Sequence, residues 1–300
     1  MMIRKLAPIA LVLAATAGAA ACAPPSNTRY VDRIFSLATQ TKAVTYATAP
    51  DLVTGAPVTL GLNVFQPAGD TVTGRPAVIW VHGGGFRSGN RSSTDQIAAE
   101  YAERGYVTFS IDYRLDPGNR CQDVQDGRIT DPTQLATETA RCKAANIGAQ
   151  HDAQAAVRWV RANAARYGVD PGKIAIGGFS AGAVTALHAA YRSDDPGDVG
   201  DHDVVDSRVQ AALSASGCNY LPESIGPGDA PVQLLHAEYD FFVPFSCAQD
   251  VARRAQAAGL VVQTLFFSND PAHADWLYVT HKDQVDAAWT AFLVAQLHLG

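Results

Sequence analysis

The sequence predicts an α/β protein built on a mostly parallel, eight-stranded sheet with helices on both faces. Three observations carry this. Six short, nearly continuous apolar runs ("AVIWVH", "YVTFSIDY", "KIAIGG", "VQAALSA", "VQLLHA" and "VVQTLFF") have the composition of strands buried on both faces. Helical patterns lie between them, the alternation that parallel crossovers require. Ahead of them, Val58, Leu60, Leu62 and Val64 recur at period two in "VTLGLNVFQ", a half-buried strand that forms an antiparallel opening with "AVTYAT".

At 300 residues the chain is long for one domain, yet open α/β sheets reach this size around a single core. Apolar residues make up 47% and charged residues 17%, against about 25% charged in ordinary soluble proteins. A large core and a lightly charged surface follow. The formal net charge is −6 with no run of lysines or arginines, so nucleic acid is excluded as a partner class.

The first residues, "MMIRKLAPIALVLAATAGAAAC", join a short basic start to an apolar stretch and small residues before Cys22. This reads as an export signal over 1–21, not a spanning helix. "AAAC" is similar to a bacterial lipoprotein box, which would lipidate Cys22 and anchor the chain to a membrane; cleavage without lipid is the alternative. Residues 22–43, rich in Ala, Pro, Ser and Thr, read as a tether, leaving 44–300 as the folded domain.

Setting Cys22 aside leaves Cys121, Cys142, Cys218 and Cys247, an even set suited to an oxidising compartment. Of the three pairings, the sequence-local one, Cys121–Cys142 with Cys218–Cys247, is expected. Each bridge would stabilise by about 3 kcal/mol in the chain-entropy model. Four buried free thiols are the alternative.

Ala153, Ala156, Val157, Val160 and Ala164 recur at helical spacing, with Gly168 and Pro171 as stop signals. Two segments interrupt the alternation. Residues 115–150 are polar, hold two of the cysteines and form a long connection, either a lid or pocket wall or a stapled surface insertion. "RSDDPGDVGDHDVVD" (192–206) gathers aspartates around His202, but its spacing fits no EF-hand loop, and a solvated acidic loop is expected there without a metal.

Chemistry concentrates at strand ends. In "IAIGGFSAGA", Ser180 stands in a Gly-x-Ser-x-Gly pattern that chance supplies in roughly a tenth of chains this long. Its position is more telling: it follows the buried run "KIAI" and precedes the helical "AVTALHAAY", which places the hydroxyl in a sharp strand-to-helix turn. "HGGGF" (82–86) follows another strand, and His-Gly-Gly-Gly arises by chance about once in several hundred such chains. Its glycines let backbone N–H groups turn toward a ligand. Asp240, in "LLHAEYDFFVP", is the candidate acid, with Glu238 as competitor. His273, in "LFFSNDPAHADW", is the candidate base, with His281 as competitor. A serine nucleophile needs such helpers: a base, a group orienting it and oxyanion donors.

From about residue 44 onward the chain resembles the α/β-hydrolase carboxylesterases of the hormone-sensitive-lipase and feruloyl-esterase-like branches. The matching phrases are "HGGGF", "IDYRL", "RYGVDPGKIAIGGFSAG" and "HAEYDFFVP". The resemblance implies Ser180 as nucleophile, Asp240 as acid and His273 as base. It further implies that the N–H groups of Gly84, Gly85 and Ala181 form the oxyanion hole, and that His82 braces the glycine loop. Ala237 and Pro271–Ala272 replace glycines common in the family. The short stretch before the first strand leaves no room for the large N-terminal cap of many relatives.

The function so implied is hydrolysis of short-acyl or aryl esters through an acyl-enzyme, with no cofactor or metal and a small-molecule ester as partner. A peptidase of related fold, or a non-catalytic surface binding protein on a hydrolase scaffold, are the alternatives. Phe86, Phe179, Tyr239, Phe241, Phe242 and Trp276 flank the catalytic loops as pocket or core aromatics.

Overall fold

The computed structural model describes residues 29–193, 195–199 and 205–299. The export signal, Cys22 and the centre of the acidic segment, including His202, lie outside the described residues.

Eight strands form one sheet: β1 (Ala38–Pro50), β2 (Pro57–Pro67), β3 (Arg75–Val81), β4 (Val107–Ile111), β5 (Val169–Phe179), β6 (Ala211–Ala215), β7 (Val232–Ala237) and β8 (Val262–Phe267). Their order is β1-β2-β4-β3-β5-β6-β7-β8. The pairs β1–β2 and β2–β4 are antiparallel, and the remaining pairs are parallel. The expected strands and the antiparallel opening are therefore present.

Among the described residues eight α-helices cover it: α1 (Asp95–Ala102), α2 (Cys121–Gln125), α3 (Pro132–Ala162), α4 (Ala164–Tyr167), α5 (Ala181–Tyr191), α6 (Phe245–Ala257), α7 (Ala274–Thr280) and α8 (Lys282–Gln296). Alternation along β3 shows how the sheet divides its core. Ala77, Ile79 and Val81 join the apolar layer under α3, α5 and α6, whereas Val78 and Trp80 join the layer under α1, α7 and α8. Both faces of the central strands are dry, which is why their sequences are apolar throughout.

Three expectations change. The segment 22–43 is not a tether along its whole length. Arg29 pairs with Asp70, the Tyr30 and Phe35 N–H groups donate to the carbonyls of Arg104 and Glu103, and β1 begins at Ala38. Alternating polar positions on this edge strand hid its start. Second, 115–150 is mostly helix: α3 starts at Pro132, because Asp131 accepts from the Gln134 N–H and proline suits the first turn. Third, in the acidic segment Asp195 and Asp198 are spent on ion pairs with Arg192, Arg114 and His151. Among the described residues no helix precedes β1, and none is long and apolar enough to cross a membrane.

Both sequence-local disulfides are present. Cys121–Cys142 ties α2 to α3, and Cys218–Cys247 ties the loop after β6 to α6.

Candidate active site

The turn that carries Ser180 is assembled by close backbone approach. β5 runs into α5 through Ser180, which is held at φ 53° and ψ −120°, a strained conformation for a residue with a side chain. Gly182 is required because a Cβ there would stand 2.2 Å from the Val81 carbonyl oxygen. The α5 backbone can thus press against β3, lifting the serine hydroxyl above the ends of the strands.

Ser180 Oγ lies 2.8 Å from His273 Nε2, and His273 Nδ1 lies 2.7 Å from Asp240 Oδ2 and 2.9 Å from Oδ1. Asp240 comes from the turn after β7, and His273 immediately precedes α7. The Asp240 side chain has no exposure and His273 retains 16%. Burial alone would raise the Asp240 carboxyl, but bonds from His273, the Val243 N–H and Ser216 outweigh it and hold the group below its ordinary value. The Phe242 and Val243 N–H groups both donate to Oδ1, at 2.9 and 3.0 Å.

The competing residues are occupied elsewhere. Glu238 accepts from the Asn269 N–H at 2.9 Å. His281 pairs with Asp270 at 2.6 Å and stacks on Phe267 with ring centroids 3.7 Å apart.

The glycine loop lies against this turn: a Cβ at Gly83 would sit 3.3 Å from that of Ser180. Gly84 has φ +117°, and a Cβ there would meet the Ser88 carbonyl at 2.0 Å, so only glycine lets the loop fold back on itself. His82 Nδ1 lies 2.6 Å from the Gly83 carbonyl, and its ring stacks on Tyr113 at 4.4 Å between centroids. Burial lowers the affinity of this imidazole for a proton, so His82 acts as a neutral brace. The structure brings Gly84, Gly85 and Ala181 to the same cavity as Ser180.

Several contributors have no motif in the sequence. Tyr113 donates to the His82 carbonyl at 3.0 Å, and Asn119 Nδ2 donates to the Gly85 carbonyl at 3.2 Å. Ser216, at the end of β6, accepts from the Ala274 N–H at 2.9 Å. Their partners are far away along the chain, and the "IDYRL" phrase containing Tyr113 is the one local signal.

These groups open into a cavity of about 1250 Å³. Segment 115–150 contributes Val124, Gln125, Cys142 and Ile147 to the lining of this cavity. Gln122 and Gln125 donate to the Phe242 carbonyl at 3.4 and 2.8 Å, joining α2 to the acid turn. Of the flanking aromatics, Phe86, Phe179 and Phe242 line the cavity, while Tyr239, Phe241 and Trp276 are exposed outside it. Among the described residues no cluster of three or more His, Cys, Asp or Glu side chains could hold a metal ion.

A family model described as BD-FAE matches residues 62–128 and 139–217. Lipase 1 of Geotrichum candidum is 34% identical over 140 residues, 45% of this chain and 23% of that protein. Liver carboxylesterase 1 of Oryctolagus cuniculus is 36% identical over 124 residues, 41% of this chain and 19% of its own length. The chain thus spans less than a quarter of the length of these two relatives. Among solved structures, a propionate-bound thermophilic esterase from the Planctomycetes species Thermogutta terrifontis matches with a TM-score of 0.64 at 22% identity. The match covers 84% of this chain and 94% of that one. The parallel sheet and the turn carrying Ser180 after β5 give the chain the α/β-hydrolase fold, and the proteins it is similar to are lipases, carboxylesterases and esterases.

Proposed function

We propose that this protein is a serine carboxylic-ester hydrolase acting on short-acyl or aryl esters through an acyl-enzyme. One observation carries the proposal: His273 bridges Ser180 Oγ and the buried Asp240 carboxylate with hydrogen bonds of 2.8 and 2.7 Å. In this reading His273 Nε2 takes the Ser180 proton as Oγ attacks the ester carbonyl carbon. The oxyanion that forms faces the backbone N–H groups of Gly84, Gly85 and Ala181, dipoles that need no reorganisation during the reaction.

Asp240 orients the imidazole with its proton on Nδ1 and steadies the imidazolium. Collapse of the tetrahedral species breaks the carbon–oxygen bond to the alcohol, which leaves with the proton from His273. Water then enters, gives a proton to His273 and attacks the acyl carbon; the bond from that carbon to Ser180 Oγ breaks, the carboxylic acid leaves, and Oγ takes the proton back from His273. The apolar side chains Phe86, Ile147, Phe179, Val184, Leu221 and Phe242 on the cavity wall support acyl or aryl groups as the parts bound.

The two disulfides favour an oxidising compartment, consistent with export directed by residues 1–21 and a lipid on Cys22 as anchor.

The test is a panel of acyl and aryl esters assayed beside a matched amide, with a serine-directed phosphonate followed by peptide mass spectrometry. Ester turnover with label on Ser180 is the expected result. Turnover of the amide in preference to every ester, or label confined to another residue, overturns the proposal.

A further inference from the structure

The end of β6 hydrogen-bonds the Ser180 turn, the His273 loop and the strand that leads to Asp240. The Ala215 carbonyl accepts the Ser180 N–H at 2.9 Å, and the Ser216 N–H donates to the Leu235 carbonyl on β7 at 2.8 Å. Ser216 Oγ accepts the N–H of Ala274, the residue following His273, at 2.9 Å, and the Ser216 side chain is among the groups that help hold the Asp240 carboxyl below its ordinary value. Two consecutive residues therefore hydrogen-bond the turn carrying Ser180, the strand β7 that leads to Asp240, and the His273 loop.

The backbone at this junction is strained. Ser216 has φ 56° and Ala274 has φ 49°, both in the left-handed region, as Ser180 is at φ 53°. Conformations of this kind cost free energy and persist where surrounding structure enforces them. Glycine would adopt φ near +56° with less strain, and Ser216 is fully buried, so its hydroxyl gains nothing from water. The side chain that the strained position carries is an acceptor for the N–H of the base loop.

We propose that Ser216 is a positioning residue of the site: by accepting the Ala274 N–H its hydroxyl fixes the His273 loop, so that the imidazole stands between Asp240 and Ser180. The proposal rests on the ester-hydrolase reading above. The residue acts through His273 and Asp240 and need not touch substrate. A misplacement of about an ångström in such a constellation is enough to lower turnover strongly.

The test compares Ser216→Ala with Ser216→Gly, using p-nitrophenyl acetate hydrolysis, thermal unfolding and the downfield proton resonance of His273 Nδ1–H recorded without substrate. Both variants are expected to lose about tenfold or more in kcat with KM within about twofold. Ser216→Gly should keep a Tm near that of the parent, since glycine accepts the backbone angle, while its Nδ1–H resonance shifts upfield. A Ser216→Gly variant with parental kcat and an unmoved resonance overturns the proposal, as does a kcat loss in both variants that only follows their loss of Tm.

Parent protein and Ser180→Ala serve as controls. If the parent turns over no ester, or Ser180→Ala retains turnover, the hydrolase reading fails. The resonance, which needs no substrate, still decides the role of Ser216: a shift in Ser216→Gly supports it, and an unmoved signal overturns it.

Discussion

The Ser180 hydroxyl donates to His273 Nε2 across 2.8 Å, although the two residues are 93 positions apart in the chain. The contact joins a strained turn after β5 to a loop after β8, and it needs no substrate to form. Replacing Ser180 with alanine removes the attacking oxygen and little else. Ester turnover should fall by about 10⁴-fold or more, with far-ultraviolet circular dichroism and Tm unchanged. Activity within an order of magnitude of the parent would refute Ser180 as nucleophile.

His273 and His281 have separate partners, Asp240 for His273 and Asp270 for His281. His273→Ala should therefore reduce kcat by several orders of magnitude, whereas His281→Ala should alter stability more than turnover. Asp240→Asn, which favours the wrong imidazole tautomer, should cost about 10³- to 10⁴-fold in kcat. Steady-state kinetics on the three purified variants checks this, and a large loss confined to His281→Ala would reassign the base.

Cys121–Cys142 closes a sequence separation of 21 residues and Cys218–Cys247 one of 29. Replacing either pair with serine should cost about 3 kcal/mol in denaturant unfolding. The kinetic effects should differ from the stability effects. Cys121 and Cys142 line the cavity, and α2 is joined to the Phe242 carbonyl, so opening that bridge should raise KM for bulky esters. Equal KM values for the parent and the Cys121→Ser/Cys142→Ser variant would argue against a pocket-wall role for the bridge.

His188, fully buried on α5, has its basicity pushed down to about 3 from 6.5, first by burial and then by Arg192. Between about pH 6.5 and pH 3 the unfolded chain binds a proton at this residue and the native protein does not, so stability falls as pH falls. His188→Gln should remove one proton from that dependence, making the plot of unfolding free energy against pH shallower across the window. Parallel plots for parent and variant would show that His188 is not neutral in the fold.

Much of this was readable from residue order. The central strands announced themselves because both of their faces are dry, so no polar period interrupts "AVIWV" or "KIAI". The serine turn was legible for a related reason: Gly178 and Gly182 have no room for a Cβ, and that steric demand is written into the sequence. The start of β1 was not legible, because an edge strand with exposed positions resembles a polar tether. The N-terminal half of α3 was hidden by its mixed composition, although Asp131 and Pro132 carried the local start signal.

By itself the sequence determined the fold class, the eight strands, the nucleophile turn, the glycine loop and the chain order of serine, acid and histidine, all encoded by local packing and backbone sterics. Only the tertiary structure decided that Asp240 faces His273 while Glu238 caps Asn269, and that His281 is held by Asp270 and Phe267. It alone brought Ser216 against Ala274 and Asn119 against Gly85. These are contacts between distant segments, set by how the strand ends converge, and no local period or spacing encodes them.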